Sequence, residues 1–391
     1  MKILEINKFY YPRRGAERHF LDLIGLLLAS GHRVAVFAMD DPRNVSRTDE
    51  RYFVSPVGYN PDDANVWQRL CGIGRLFWSF EARKKIAAML AAYQPDIVHI
   101  HNIYHQLSLS ILPIIRRSGT PIVMTVHDYH SISPDKDEYY DFVGKRYWKF
   151  LLVKKYGFGK RVLLVMKMYW EKLFRFYERA IDVYIAPSEY CKSVLVKGGI
   201  QAEKIVVVPH FVKEPTEEIP RQGQGSEPYA LYFGGITEEK SIRELCTLFA
   251  ELHFPLLLAG AKQTDILEGR YVRSVGEKNR ADLEELIRNA CLVVSASHLP
   301  ETFGLIVLEA NILGKPFFGY ATGAYPEIVA QGKNGWLASD RSTLRQMIAD
   351  FIGDKVRCET ADTIARETRE KYGTAAYMQK LDQIFTRIGT R

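Results

Sequence analysis

Two periodicities alternate along this chain. Residues 2–6 read as a short apolar strand, and after a loop through Tyr10, Tyr11, Pro12 and Gly15 the spacing changes. Phe20, Leu23, Ile24, Leu27 and Leu28 then fall at the three- and four-residue intervals of one helix face. Ser30-Gly31 ends that helix, and 33–39 predicts the next strand. Strand patterns recur at 96–101, 121–126, 182–186 and 204–208, and such alternation predicts a doubly wound, mostly parallel α/β sheet.

From Phe211 to Pro228 apolar residues give way to Lys, Glu, Gln, Gly and Pro, which marks a domain boundary. A second series follows, with strands at 229–233, 255–259, 271–275, 292–295 and 316–320 and helices after Lys240, at 281–290 and at 304–313. The pattern therefore predicts two Rossmann-like doubly wound domains facing across a cleft: residues 1–211, a linker at 212–228, and residues 229–371. Ligands of open α/β sheets bind outside the carboxyl ends of the strands, so the cleft is the expected site.

A length of 391 residues suits two domains, and 47% hydrophobic content can fill two cores. The five cysteines (71, 191, 246, 291 and 358) are odd in number and widely spaced, which signals neither a disulfide framework nor a zinc site and suits reduced thiols in a cytosol. The start turns polar too soon for a signal peptide, so a cytoplasmic location is expected.

The net charge of +7 is local. Between Val143 and Ala180 eleven Lys/Arg face only Glu171 and Glu178, a surplus larger than that of the whole chain. On a helical wheel from Arg161, residues Val162, Leu163, Val165, Met166, Tyr169, Trp170, Leu173, Phe174, Phe176 and Tyr177 share a broad face. Lys167, Glu171, Lys172, Arg175, Glu178 and Arg179 take the other. Upstream, Lys145, Arg146, Lys149, Lys154, Lys155 and Lys160 are interleaved with Tyr147, Trp148, Phe150, Tyr156 and Phe158, a mixture suited to lipid headgroups. The segment 143–180 is therefore expected to dock on an anionic membrane, making the chain peripheral at the inner face of the plasma membrane. The plainer alternative is that the apolar face is core against the first sheet. No nucleic-acid module accompanies the charge, so nucleic acid is not expected as a partner.

Candidate chemistry lies at strand ends. His298-Leu299-Pro300-Glu301-Thr302-Phe303-Gly304-Leu305 follows a buried strand and opens a helix carrying Glu309. A glycine and unpaired N–H groups at a helix start suit a phosphate, and the Glu309 carboxylate suits the hydroxyls of a ribose or another diol. Glu301 as a dipole partner and Glu309 on a solvated face is the competing reading. Gly234 and Gly235 end another strand just before Lys240, which can neutralise a phosphate. Gly15 marks the first strand-to-helix turn, and His127 and Asp128 end the strand at 121–126. The pairs His99/His101 and His127/His130 raise a metal alternative, but the sequence offers no third ligand, and none is expected.

In order along the chain, Gly15-Ala16-Glu17-Arg18, Val126-His127-Asp128-Tyr129, Ala186-Pro187-Ser188-Glu189, residues 204–209, Gly234 with Lys240, Glu301 with Glu309, and Pro326-Glu327-Ile328-Val329 with Asn334-Gly335 resemble the retaining nucleotide-sugar glycosyltransferases of family 4, with the GT-B fold. The resemblance implies a UDP- or GDP-linked sugar as substrate and no metal or other cofactor, and with the docking segment 143–180 it leads to the expectation of a lipid-linked glycan acceptor in bacterial-type polysaccharide or glycolipid assembly. It implies that Glu301 contacts the donor sugar, Glu309 the ribose, and Lys240 with the Phe303-Gly304-Leu305 segment the diphosphate. His127 would lie near the anomeric carbon, Gly15 near donor phosphates or acceptor, and Asp128, the basic residues 145–160 and Trp170 on the acceptor or membrane side. Residues 372–391 would return as a helix to the first domain.

The chain also departs from the family pattern. Gly235 stands where the family usually has a phosphate-binding arginine, for which Arg243 is the nearest substitute. Pro209-His210-Phe211 replaces the usual Pro-Asn-Gly, and Arg14 the first glycine of the N-terminal turn. These changes keep open a catalytically weak nucleotide-sugar-binding partner subunit and, third, a nucleotide-sugar epimerase.

Overall fold

The computed structural model describes residues 1–56, 72, 74–134, 146–215, 227–262, 264–266 and 268–389. Contacts divide the chain into two compact units, Met1–Val208 with Met378–Arg391, and Pro209–Tyr377.

In unit 1 the described elements run β1 (Lys2–Ile6), α1 (Gly15–Ala29), β2 (Arg33–Phe37), α2 (Phe80–Tyr93), β3 (Ile97–Ile100), α3 (Leu112–Arg117), β4 (Ile122–Thr125), α4 (Phe158–Phe174), α5 (Phe176–Ala180), β5 (Val183–Ala186), α6 (Glu189–Lys197) and β6 (Ile205–Val207). The strands form one parallel sheet in the order β2-β1-β3-β4-β5-β6. Helices cover both faces, so β3, β4 and β5 are buried along their whole length, which is why they read as unbroken apolar runs. Phe20, Leu23 and Leu27 of α1 face inward, as their spacing predicts.

Unit 2 contains β7 (Ala230–Phe233), α7 (Ile242–Leu252), β8 (Leu256–Ala259), β9 (Val272–Gly276), α8 (Arg280–Asn289), β10 (Leu292–Val294), α9 (Leu305–Asn311), β11 (Phe317–Tyr320), α10 (Tyr325–Ile328), β12 (Gly335–Ala338), α11 (Arg341–Ile352) and α12 (Ala361–Tyr372). Its parallel sheet has the order β12-β11-β10-β7-β8-β9. Counting strands within the unit, this is the Rossmann order, with the reversal between β7 and β10. The last helix, α13 (Thr374–Gly389), places Phe385 in unit 1, its ring 5.6 Å from that of His99.

The basic segment differs from its helical wheel. Arg175 adopts a left-handed conformation (φ 52°) that separates α4 from α5 and turns Phe176 and Tyr177 into the unit 1 core. On α4, Val165 and Met168 pack with Tyr147 and Phe150. Lys167 and Glu171, assigned by the wheel to a solvated face, are instead a buried ion pair one turn apart. Met166, Tyr169 and Leu173, assigned to the apolar contact face, point to solvent. The helix is thus buried on a side that mixes apolar and charged positions, because the Lys–Glu pair cancels its own charge where the 147–152 turn covers it. Lys145 lies outside the described residues.

Candidate active site

In unit 2 the site forms where strand order reverses. β7 and β10 are hydrogen-bonded neighbours, and the segments leaving their carboxyl ends carry Lys240 and Glu301. The Lys240 ammonium donates to Glu301 Oε1, and both side chains are half-buried. Gly304 caps α9 with φ +115°, and a Cβ there would lie 2.4 Å from Tyr325 Cε1, so both backbone and space require glycine. Phe303 is buried against His210 and Tyr372, with ring centroids 5.4 and 6.0 Å away. Leu305 opens α9, and Glu309 follows one turn on, half-buried. Gly234 (φ +133°) and Gly235, whose carbonyl accepts from the Tyr232 hydroxyl at 2.8 Å, form the β7 turn. Arg243 pairs instead with Glu238 at the surface, 3.2 Å away. Beside it, Glu244 accepts from the Tyr320 hydroxyl and meets His298 Nε2 at 3.2 Å. Burial first, then Glu244, pushes the Tyr320 hydroxyl well up.

Unit 1 presents its own group of side chains. Gly15 is the exposed first residue of α1. β4 leads into His127 and Asp128, and Asp128 accepts from the Tyr104 hydroxyl and from the His130 N–H at 3.1 Å. The Lys8 ammonium lies 3.9 Å from the centre of the Tyr104 ring. Burial raises the Glu17 carboxyl, and Lys8 opposes that.

Beneath His127 a buried chain of polar groups crosses three strands. Glu5 on β1 meets His99 Nδ1 through Oε1 and His101 Nε2 through Oε2, each at 2.9 Å. His99 Nε2 lies 2.8 Å from Thr125 Oγ1, and His101 Nδ1 lies 2.8 Å from His127 Nε2. Glu5, His99 and His101 are fully buried. Glu5 is therefore the third group that the sequence reading did not find beside the paired histidines, its ligand atoms and theirs lying within 4.8 Å of one another. Both of its oxygens are already engaged by imidazoles. The sequence did carry a signal, a carboxylate inside Lys-Ile-Leu-Glu-Ile, the first buried strand.

Burial would raise the Glu5 carboxyl, but His99 and His101 together outweigh it and hold it at about 2. His101 is pushed down to about 4, first by burial and then by His99, with Glu5 opposing. Unfolding returns these groups toward their ordinary values of 4.5 and 6.5. For both, the unfolded chain takes up its proton first on acidification, so stability from His101 is lost as pH falls from about 6.5 to 4, and from Glu5 as it falls from about 4.5 to 2. The urea midpoint, followed by Trp fluorescence, is expected to fall steadily from pH 7 to pH 4. A flat profile would contradict the buried network.

Among the basic residues, Arg146, Lys154, Lys155 and Lys160 are exposed and Lys149 is half-buried. Trp170 packs against Phe174, with ring centroids 4.2 Å apart and planes tilted by 54°. With Trp78, Phe176, Arg116, Arg117 and Arg179 these two rings line a mostly apolar cavity of about 650 Å³.

Residues 13–214, more than half of the chain, match the model of Glycosyltransferase Family 4. The chain belongs to glycosyltransferase family 4. Residues 215–377 match a second model, Glycosyl transferases group 1. This family 4 chain is 24% identical over 319 residues to the sulfoquinovosyl transferase SQD2 of Arabidopsis thaliana, a match spanning 76% of this chain and 58% of that protein. It is also 24% identical over 348 residues to the phosphatidyl-myo-inositol mannosyltransferase of Mycolicibacterium smegmatis, covering 83% of this chain and 76% of that protein. Its fold is shared with Anabaena Alr3699/HepE, solved with UDP and glucose, at a TM-score of 0.67, 18% identity and coverage of 99% and 100% of the two chains. The two Rossmann-like sheets are thus those of the GT-B fold.

Proposed function

We propose that the chain is a retaining glycosyltransferase that moves a sugar from a UDP- or GDP-linked donor to a lipid-linked glycan acceptor in surface polysaccharide or glycolipid assembly. The observation that carries this reading is the meeting of Lys240 and Glu301 at the β7/β10 reversal, where an open α/β sheet binds its ligand. Breaking a glycosidic C–O bond develops positive charge on the sugar and negative charge on the departing diphosphate. Lys240 and the Gly304-Leu305 backbone take up the negative charge, Glu301 holds sugar hydroxyls, Glu309 holds the ribose, and His127 lies near the anomeric carbon. The UDP and glucose named for HepE support a nucleotide-sugar donor, and the mycobacterial relative's name pairs a sugar with a lipid. The test is transfer from a panel of UDP- and GDP-sugars to lipid-linked acceptors. Donor binding without transfer or hydrolysis, alone and with proteins of the same pathway, would favour the non-catalytic partner subunit. That second reading draws on Arg243, which is engaged by Glu238 and stands away from the arginine role that Gly235 vacates.

The acceptor side of the reading rests on α4 and the turn before it. Trp148, Leu152, Phe158, Met166 and Leu173 are each more than half exposed, next to exposed Arg146, Lys154, Lys155 and Lys160. Rings and apolar chains among basic groups suit an anionic bilayer interface. Among the described residues no helix is long and apolar enough to cross a membrane. Each exposed basic group contributes roughly 1 kcal/mol at an anionic surface, so Lys154→Gln or Lys160→Gln is expected to weaken binding to anionic vesicles about fivefold, less at high salt. Sedimentation with anionic and neutral vesicles checks this, and no binding to either at low salt would remove the membrane from the reading.

A further inference from the structure

The chain of groups beneath His127 has a direction. A carboxylate only accepts hydrogen bonds, so the two ring nitrogens that face Glu5, His99 Nδ1 and His101 Nε2, both carry protons. Neutral imidazole has one N–H and one accepting nitrogen, so a neutral His101 that donates to Glu5 presents Nδ1 as an acceptor. The partner of that nitrogen is His127 Nε2, 2.8 Å away. The ring planes lie 20° apart with centroids separated by 5.1 Å, so the two rings meet edge to edge along an in-plane N–H···N bond.

We propose that Glu5 and His101 are positioning residues that fix the tautomer and orientation of His127, placing its proton on Nε2 and its lone pair on Nδ1. The inference rests on the reading of this chain as a glycosyltransferase for its purpose, though not for its geometry. On that reading Nδ1 of His127 accepts a hydrogen bond from a hydroxyl of the donor sugar, and an imidazole held by a buried carboxylate through a second imidazole cannot turn its N–H toward that hydroxyl. His99 completes the anchor. With Nδ1–H given to Glu5, its Nε2 meets the Thr125 hydroxyl at 2.8 Å, which fastens the carboxylate to β4, the strand that ends in His127. Phe20 closes the other side, its ring edge-on to His101 at 4.9 Å. Each link joins a different strand or strand end, so the polarity set at β1 is delivered to the end of β4. The arrangement resembles the general logic by which a carboxylate selects the tautomer of a working histidine, with one more imidazole interposed.

The experiment uses the full chain labelled with ¹⁵N-histidine, the His127 resonances being assigned by their loss in His127→Gln. In the parent protein at a pH where His127 is neutral, the shared proton is expected on His127 Nε2, with a scalar coupling across the hydrogen bond to His101 Nδ1. His101→Gln keeps the polarity, because its amide N–H₂ must face Glu5 and its amide oxygen then faces His127. His101→Phe removes it, so both tautomers of His127 become populated. With a working donor, His101→Phe is expected to lower kcat about tenfold with little change in the KM for nucleotide-sugar, as expected from a misoriented group at the reacting centre, and His101→Gln is expected to recover most of that loss. A shared proton found on His101 Nδ1 in the parent would overturn the proposal. So would a folded His101→Phe chain that retains the single tautomer and the parent kcat. If His101→Phe does not fold, the parent and His101→Gln spectra decide. The spectra need no donor, so failure of the positioning chain is separable from failure of the functional reading.

Discussion

A Lys240→Ala chain is expected to fold as the parent does and to transfer sugar about 100- to 1,000-fold more slowly. Lys240 is half-exposed and holds one ion pair, so its loss removes little of the packing that stabilises unit 2. Its charge matters when the donor bond breaks, because negative charge then develops on the diphosphate. Removing one preorganised stabilising group at such a site costs about 2.7–4 kcal/mol of transition-state stabilisation. The loss should fall mainly on kcat at saturating donor. Glu301→Gln keeps the shape and removes the carboxylate, and should slow transfer as well. Steady-state rates for the two variants, with circular dichroism to verify folding, check the expectation. Near-normal transfer by both would take away the basis for placing the donor at the β7/β10 reversal.

A Lys167→Met chain is expected to be less stable by about 3–5 kcal/mol, whereas Lys167→Met combined with Glu171→Leu should be neutral or up to roughly 4 kcal/mol more stable than the parent. Both side chains are only 6% exposed. Burial raises the Glu171 carboxyl, and Lys167 offsets only part of that rise, so the lysine is what favours the charged carboxylate inside the unit. Removing the lysine leaves a buried carboxyl that must either carry an uncompensated charge or take up a proton. Removing both replaces the pair with apolar volume beside Val165, Met168 and Tyr147. Urea unfolding of the parent, single and double variants measures the differences. A single variant within about 1 kcal/mol of the parent would mean that water reaches the pair.

The strands were legible in the sequence because a parallel sheet covered on both faces needs continuous apolar runs, and 97–100, 122–125 and 183–186 supply them. Boundaries moved by a residue or two. The helix predicted at 304–313 stops at Asn311, since Gly314 turns the chain with φ +72°. Lys240 and Glu301 were legible as residues because turn glycines flank them, but their pairing across 61 positions depends on which strands are neighbours. The Glu5 network shows the limit most clearly. In the sequence Glu5 reads only as part of a short strand, and His101 stands out only by its spacing to His99. Their partnership spans more than 90 positions and exists because β1 and β3 lie side by side. In the basic segment the wheel failed for a local reason, since it assumes unbroken helical geometry and counts each charge as solvated. Arg175 breaks the first assumption, and the Lys167–Glu171 pair breaks the second.

The exposed stripe of Leu152, Phe158, Met166 and Leu173 has a colloidal consequence. Away from a surface these side chains stay in water, where each 100 Å² of apolar area costs on the order of 2.5 kcal/mol relative to burial, and another copy of the chain offers the same stripe to cover them. The exposed Arg146, Lys154, Lys155 and Lys160 near the stripe would repel a second copy and, in the proposed docking, would also draw the chain to anionic lipid. Salt at 0.1 M shortens the reach of both effects to about 10 Å. On the proposed membrane docking, an ionic strength that released the chain from a bilayer would therefore also weaken the repulsion between released copies.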